Sequence, residues 1–263
     1  MKWLVTGLAL TVAALPVAAA PAPVEEIRPG ILRGYLAPQQ LPDAGALLPP
    51  APRYDSPQAH SDREQALSML ALQGSPRWQR AAVDAQLQFP AALESFRCAL
   101  GVELSESRTP YLYQLTRRTL ADAGLATYSA KNRYRRDRPF EENGAPICTP
   151  GERQHLAEDG SYPSGHTAIG WAWALIYSEL LPQRRDQLLA RGYQYGESRA
   201  VCNVHWASDI SAGRVVGSAV VAALHSSAEF SADLAAAKRE LASAPVARDC
   251  DDWDQLDAED RSE

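Results

Sequence analysis

A chain of 263 residues can bury one sizeable core, and a formal net charge of -6 gives it no overall basic surface for nucleic acid. The acidity is local. Residues 249–263 hold eight acids and one base, Arg261, a sum of -7, so the rest of the chain sums to +1. Such a tail reads as a solvated segment with little apolar surface to dock.

At the N-terminus, Lys2 precedes an apolar run from Leu4 to Leu15 and the small residues Val17 to Ala20. This pattern predicts a secretory signal over 1–19, cleaved after Ala18 or Ala19, because a cut directly before Pro21 is disfavoured. A membrane anchor is the competing reading, but the run is short and Pro16 breaks it. The next apolar run, Val215 to Leu224, is shorter than a bilayer requires. The expected mature protein is therefore periplasmic or secreted, without membrane insertion. Four cysteines, Cys98, Cys148, Cys202 and Cys250, suggest two disulfides in an exported chain, with three pairings open and free buried thiols as the alternative.

Residues 20–61 are rich in proline and read as an extended arm over the domain surface. Helical patterning fills 62–245. Helices are expected from Asp62 to about Leu72, from Ser75-Pro76 through Leu87, and from Thr109-Pro110 to about Ala121, with Thr109 as N-cap. Further helices are expected over Leu125 to Arg135, Gly165 to Leu181, Gln183 to about Arg199, Ser208 to Leu224 and Phe230 to Leu241. No stretch alternates with period two. The fold class is all-α, a single-domain helical bundle with its site between facing helices, followed by an acidic tail over 246–263.

Three stretches carry chemistry. In "KNRYRRDRPF", Lys131 and Arg135 are expected one turn apart on one helical face, and Arg138 before Pro139 leaves the helix. Cations placed this way can converge on one anion, although a basic run is more often a solvated face. In "YPSGHTAIG", Ser164, Gly165 and His166 open an apolar helix. A helix start offers unpaired N–H groups to phosphate oxygens, Gly165 permits close approach, and His166 can donate a proton. A plain N-cap and a satisfied histidine are the bland readings. In "SRAVCNVHWASD", Arg199 is a third anion clamp. Asp209 stands four residues after His205, a spacing at which a carboxylate can hold one imidazole nitrogen and leave the other as nucleophile.

Together these residues form a phosphate cage with a nucleophile and an acid. The pattern Lys131-x6-Arg138-Pro139, Pro163-Ser164-Gly165-His166 and Ser198-Arg199-x5-His205-x3-Asp209 resembles the three-part signature of the type 2 phosphatidic acid phosphatase and vanadium haloperoxidase superfamily. "LLPPAP" at 47–52, "TPYLYQLTRRTLADAG" at 109–124, "GSYPSGHTAIGWAWAL" at 160–175 and "RGYQYGESR" at 191–199 are similar to one branch, the bacterial class A nonspecific acid phosphatases. The resemblance spans roughly 35–240 and leaves out Cys98, Cys250 and the tail. It implies that His205 attacks phosphorus, Asp209 orients it, and His166 protonates the leaving alcohol. It further implies that Lys131, Arg138, Ser164, Gly165 and Arg199 hold the phosphate oxygens, with no metal and no cofactor. Small phosphomonoesters are the implied substrates, phosphotransfer to other alcohols is chemically open, and homo-oligomers are common in the branch.

A vanadate-dependent haloperoxidase would use the same cage. A lipid phosphatase is disfavoured without spanning helices, and a non-catalytic anion binder would not need two histidines and a carboxylate. With Cys148 in the loop between the first two motifs and Cys202 in the third, Cys148–Cys202 and Cys98–Cys250 are the expected disulfides. The second would tie the root of the tail to the body. Two histidines with opposite needs, each with an ordinary pKa near ~6.5, place the activity maximum at roughly pH 5–6.5.

Overall fold

Helix α9 (Gly165–Leu180) is buried along most of its length, and the other long helices pack around it. The computed structural model describes residues 20–250, so the expected signal over 1–19 and the acidic residues 251–263 lie outside the described part. In chain order the helices are α1 (Ala44–Leu47), α2 (Pro57–Met69), α3 (Pro76–Asp84), α4 (Arg97–Leu100), α5 (Pro110–Leu125), α6 (Tyr128–Tyr134), α7 (Pro139–Asn143) and α8 (Arg153–Ala157). After α9 come α10 (Arg185–Val201), α11 (Ala207–Leu224) and α12 (Ala228–Leu241). The fold is the expected single-domain, mainly helical bundle.

The core runs along α9. Ala168, Ala172, Trp173, Ile176 and Tyr177 are buried against α5, α10 and α11. Phe96 and Tyr195 pack on Trp173 and Tyr177 packs on Phe96, with the rings of Phe96 and Trp173 edge to face at 6.1 Å. Two glycines bring α11 onto the start of α9. A Cβ at Gly213 would lie 2.6 Å from the Ser164 carbonyl oxygen, and one at Gly217 would lie 2.6 Å from that of Ala168. Only glycine allows this backbone contact. It joins two of the signature stretches directly: Ser164 N–H donates to the Asp209 carbonyl at 3.0 Å.

Several boundaries differ from expectation for local reasons. Helix α2 starts at Pro57, where the Ser56 hydroxyl accepts from Ala59 N–H, a start signal of the same kind as Ser75-Pro76. Helix α3 ends at Asp84 and does not continue to Leu87. Thr109 does not cap α5. Its hydroxyl bonds to Ser105, and the Glu240 carboxylate of α12 accepts from Tyr111 and Leu112 N–H at 2.9 and 3.0 Å. An acid from a distant helix thus satisfies the orphan donors. Helix α6 stops at Tyr134 because Arg135 turns left-handed at φ 42°.

The arm contains a small antiparallel hairpin, β1 (Glu26–Arg28) and β2 (Ile31–Leu32), turned at Gly30 with φ 80°. Strands this short show no period, so no alternation announces them. Helix α5 holds the arm in place. Asp122 accepts from Tyr35 and Leu36 N–H at 2.9 and 3.0 Å, Arg117 bonds to Glu26 and the Gly30 carbonyl, and Arg118 bonds to the Arg33 and Gly34 carbonyls.

Both expected cysteine pairs are in place. Cys98 and Cys250 have Cα atoms 5.4 Å apart, and Cys148 and Cys202 are 4.8 Å apart. The first pair, with a bridge between Val102 and Val246, ties residues 245–250 to the body. Among the described residues, Ala207–Leu224 is long and apolar enough by length and composition to cross a membrane, with mean hydropathy 1.3. Half of it is buried inside the fold, as in a core helix.

Candidate active site

A cavity of about 470 Å³ opens between the starts of α6 and α9, the loop after α8 and the N-terminal hairpin. Lys131, Arg138, Gly165, His166 and His205 line it. Ser164, Arg199 and Asp209 stand behind this wall, each fully buried. The structure therefore gathers all eight sequence-predicted residues at one end of the bundle.

Arg138 sits in extended backbone before Pro139, as that dipeptide requires. Its guanidinium is fixed by carbonyls. Nε donates to Leu156 O at 2.7 Å and Asp159 O at 3.1 Å, and Nη1 donates to Val204 O at 3.0 Å. The Lys131 ammonium is buried on α6. Burial, then the neighbouring Arg138, pushes its pKa down to about 8. Arg135, expected on the same face, leaves it at the left-handed turn and is exposed.

Arg199 closes α10 and is wholly buried, and its Nε and Nη2 have no hydrogen-bond partner among the described residues. Orphaned charged donors in a buried site are costly unless an anion completes them. Burial lowers the Arg199 pKa to about 10, which leaves the guanidinium charged at neutral pH.

The two histidines arrive by different routes. His166 lies in the first turn of α9, which the Ser164 hydroxyl caps by accepting from Thr167 N–H at 3.2 Å. Ser164 thus acts as an N-cap here, and its own proton is left to donate. His166 Nε2 is 3.0 Å from the Ala85 carbonyl, which makes it the protonated nitrogen in the neutral ring. That carbonyl ends α3, which Asp84 pins to α10 through Arg191 and Ser198. Burial, then Arg199, pushes the His166 pKa well below the usual imidazole value.

His205 lies outside any helix. After α10, Asn203 turns left-handed at φ 60°, and Val204 and His205 N–H both donate to the Arg199 carbonyl. This reversal turns the chain back on the last turn of α10. Asp209 therefore does not meet His205 along a helix face, as the spacing suggested. It stands in the first turn of α11, where its carboxylate reaches back to Trp206 N–H at 2.9 Å and to His205 Nδ1 at 3.4 Å. On the far side of the ring, Arg138 Nη1 lies 3.1 Å from Nε2. A guanidinium only donates, so Nε2 is unprotonated and carries the lone pair. Burial, followed by Arg138, Lys131 and Arg199, holds the His205 pKa well below the ordinary range. The ring is a neutral base with Nδ1–H toward a carboxylate.

The sequence reading missed the support of Asp209. Arg136 donates to Asp209 Oδ1 at 2.6 Å and to Asp62 Oδ2 at 2.7 Å, and Ser208 also bonds Asp62. Asp62 is wholly buried although it reads as a surface acid near a helix start. Burial still raises the Asp209 pKa, opposed chiefly by Arg136. Two more participants went unseen, the Ala85 carbonyl and Asp159, because backbone groups and lone acids leave no spacing signal. The rest of the wall is mixed, with apolar Ile27 and Ile31 from the hairpin, Leu87, Leu120 and Ile169 beside polar Arg28, Gln88, Glu152 and His155.

Comparison with known proteins agrees with this geometry. Residues 117–232 match the PAP2 superfamily, a span that holds every cage residue. The chain is 43% identical over 209 residues to a non-specific acid phosphatase of Providencia stuartii, covering 79% of this chain and 84% of the relative. It is 43% identical over 195 residues to an acid phosphatase of Zymomonas mobilis, covering 74% of each. It is 37% identical over 208 residues to a non-specific acid phosphatase of Salmonella typhimurium, covering 79% of this chain and 83% of the relative. With the cage assembled and relatives this similar over most of their length, the chain belongs to the class A nonspecific acid phosphatases of the PAP2 superfamily.

Proposed function

We propose that this protein hydrolyses phosphate monoesters at acid pH through a phosphohistidine on His205. The observation that carries the reading is the neutral His205, with Nε2 aimed at a buried cluster of three cations and Nδ1–H directed at Asp209. The Nε2 lone pair attacks phosphorus, and the ester P–O bond breaks as the N–P bond forms. The departing alkoxide takes a proton from His166. Asp209 stabilises the positive ring that results. Lys131, Arg138, Arg199, the Ser164 hydroxyl and the Gly165 N–H hold the equatorial oxygens, where charge gathers in the transition state. In the second half, His166 takes a proton from water, whose oxygen displaces His205 from phosphorus. An alcohol in place of water would give phosphotransfer.

The cluster also supports a metal-independent reaction. Three cationic side chains repel a divalent ion and supply the charge such an ion would bring. The haloperoxidase reading is not favoured, since the relatives that match most of the chain are acid phosphatases. Export to the periplasm or beyond is proposed on the N-terminal pattern and the two cysteine pairs. The test is a panel of monoesters at acid pH, with and without chelator, using purified protein. Turnover retained under chelation and blocked by vanadate supports the proposal, and turnover restored only by added Mg²⁺ or Zn²⁺ refutes the metal-independent mechanism.

A further inference from the structure

The phosphate cage is not empty of anions. The Asp159 carboxylate, on the loop between α8 and α9, occupies it. Oδ2 lies 2.9 Å from Lys131 Nζ and 3.3 Å from Arg138 Nη2, so one oxygen bridges the two cations. Asp159 lines the same cavity as His166 and His205. Its side chain is about a quarter exposed, at 26%, while those of Lys131 and Arg138 are 5% and 1% exposed. The anion is thus the partner that solvent reaches.

Asp159 is not needed to hold either cation in place. Arg138 keeps its bonds to the Leu156, Asp159 and Val204 carbonyls through Nε and Nη1, and Lys131 also bonds the Gly160 carbonyl. Withdrawing the carboxylate would free Nζ and Nη2 together, two donors aimed into the cavity. An ammonium and a guanidinium side by side in a buried site need a counter-charge at all times. Arg138 and burial both disfavour the charged Lys131, and Asp159 offsets them.

On the phosphatase reading, we propose that Asp159 is the resident counter-anion of the phosphate site. The phosphoryl group of the substrate displaces it, and it returns as inorganic phosphate leaves. A carboxylate tethered beside the site competes at high effective concentration. It therefore weakens phosphate binding and speeds product release. The cost is a higher KM. The residue acts on affinity and turnover through Lys131 and Arg138, and takes no part in bond making.

The experiment is calorimetric titration of inorganic phosphate into wild type, Asp159→Asn and Asp159→Ala at about pH 5.5, below the Lys131 pKa. Thermal melting checks that each variant is folded, and alanine stands in if asparagine is not tolerated. The variant should bind phosphate about tenfold tighter, the scale of one charge-assisted hydrogen bond. KM and the product inhibition constant should fall together, and kcat should fall as release slows. Vanadate-bound crystals of the wild type should show the Asp159 carboxylate off Lys131 and Arg138. Unchanged or weaker phosphate binding in a folded variant overturns the inference, as does a carboxylate that stays on both cations beside bound vanadate. A wild type that neither binds phosphate nor turns over monoesters defeats the phosphatase reading itself, and this inference with it.

Discussion

Nη1 of Arg138 donates to Nε2 of His205 across 3.1 Å, so the cation that should bind phosphate also covers the lone pair that should attack it. This contact fixes the tautomer in the resting site. A phosphoryl group entering between them would trade that bond for bonds to its own oxygens. His205→Ala should therefore abolish both chemistry and labelling. Activity should fall roughly 10⁴-fold or more, as when other covalent nucleophiles are removed. Alkaline quench of wild type should trap an alkali-stable, acid-labile phosphoenzyme, and labelling that persists in the mutant would assign the nucleophile elsewhere.

His166 sets the alkaline limb of the pH profile. Its pKa lies well below 6.5 through burial and Arg199, and the imidazole must be protonated to donate. The free enzyme holds the active form only on the acid side, so kcat/KM should decline as pH rises through a value below ~6.5. Arg199→Gln removes a repelling charge and should move that limb upward, although overall activity drops. His166→Ala should lose the limb for alkyl phosphates and keep more activity on esters with acidic leaving groups. A limb unmoved in both variants would show that another group titrates.

Arg136 is a stability residue at the edge of the chemistry. Its guanidinium is the charge partner of two wholly buried carboxylates, Asp62 and Asp209. Arg136→Ala leaves both uncompensated, which should cost about 3–5 kcal/mol in denaturant unfolding. Asp209 would then be drawn toward its protonated form, and turnover should fall with stability. A stable Arg136→Ala enzyme with wild-type activity would contradict this.

The disulfides close chain separations of 152 and 54 residues. Loop-closure entropy gives each about 4–5 kcal/mol on the chain-entropy account. Non-reducing peptide maps should return Cys98–Cys250 and Cys148–Cys202, and a Cys98–Cys148 peptide would contradict the pairing. Cys148→Ser should also lower activity more than Cys98→Ser, because Cys202 lies in the turn that delivers His205.

Asp122 is one of three α5 side chains that hold the hairpin wall, with Arg117 and Arg118. Asp122→Ala leaves the Tyr35 and Leu36 N–H groups without their acceptor and loosens the arm over the cavity. KM should rise more than kcat falls, since Ile27 and Ile31 touch only the outer wall. Equal losses in both parameters would place the hairpin nearer the chemistry.

Much of the site was legible in the sequence, because it consists of charged and imidazole side chains at fixed spacings near helix starts. Lys131, Arg138, His166, Arg199, His205 and Asp209 could be named from those spacings, and the apolar periodicity of α9 and α11 placed the core. What the spacings could not carry was who pairs with whom. Arg136 and Arg138 look alike in a basic run, yet one holds Asp209 and the other faces the cavity. His205 and Asp209 meet through a chain reversal at Asn203, not along a helix. The capping of α5 by Glu240, the burial of Asp62 and the seat of Asp159 on two cage cations all join residues far apart in the chain. Local pattern reports the residue types that chemistry needs and the elements they ride on. The pairing of buried charges is decided by packing, since each must find a partner among whatever groups the folded helices bring within reach.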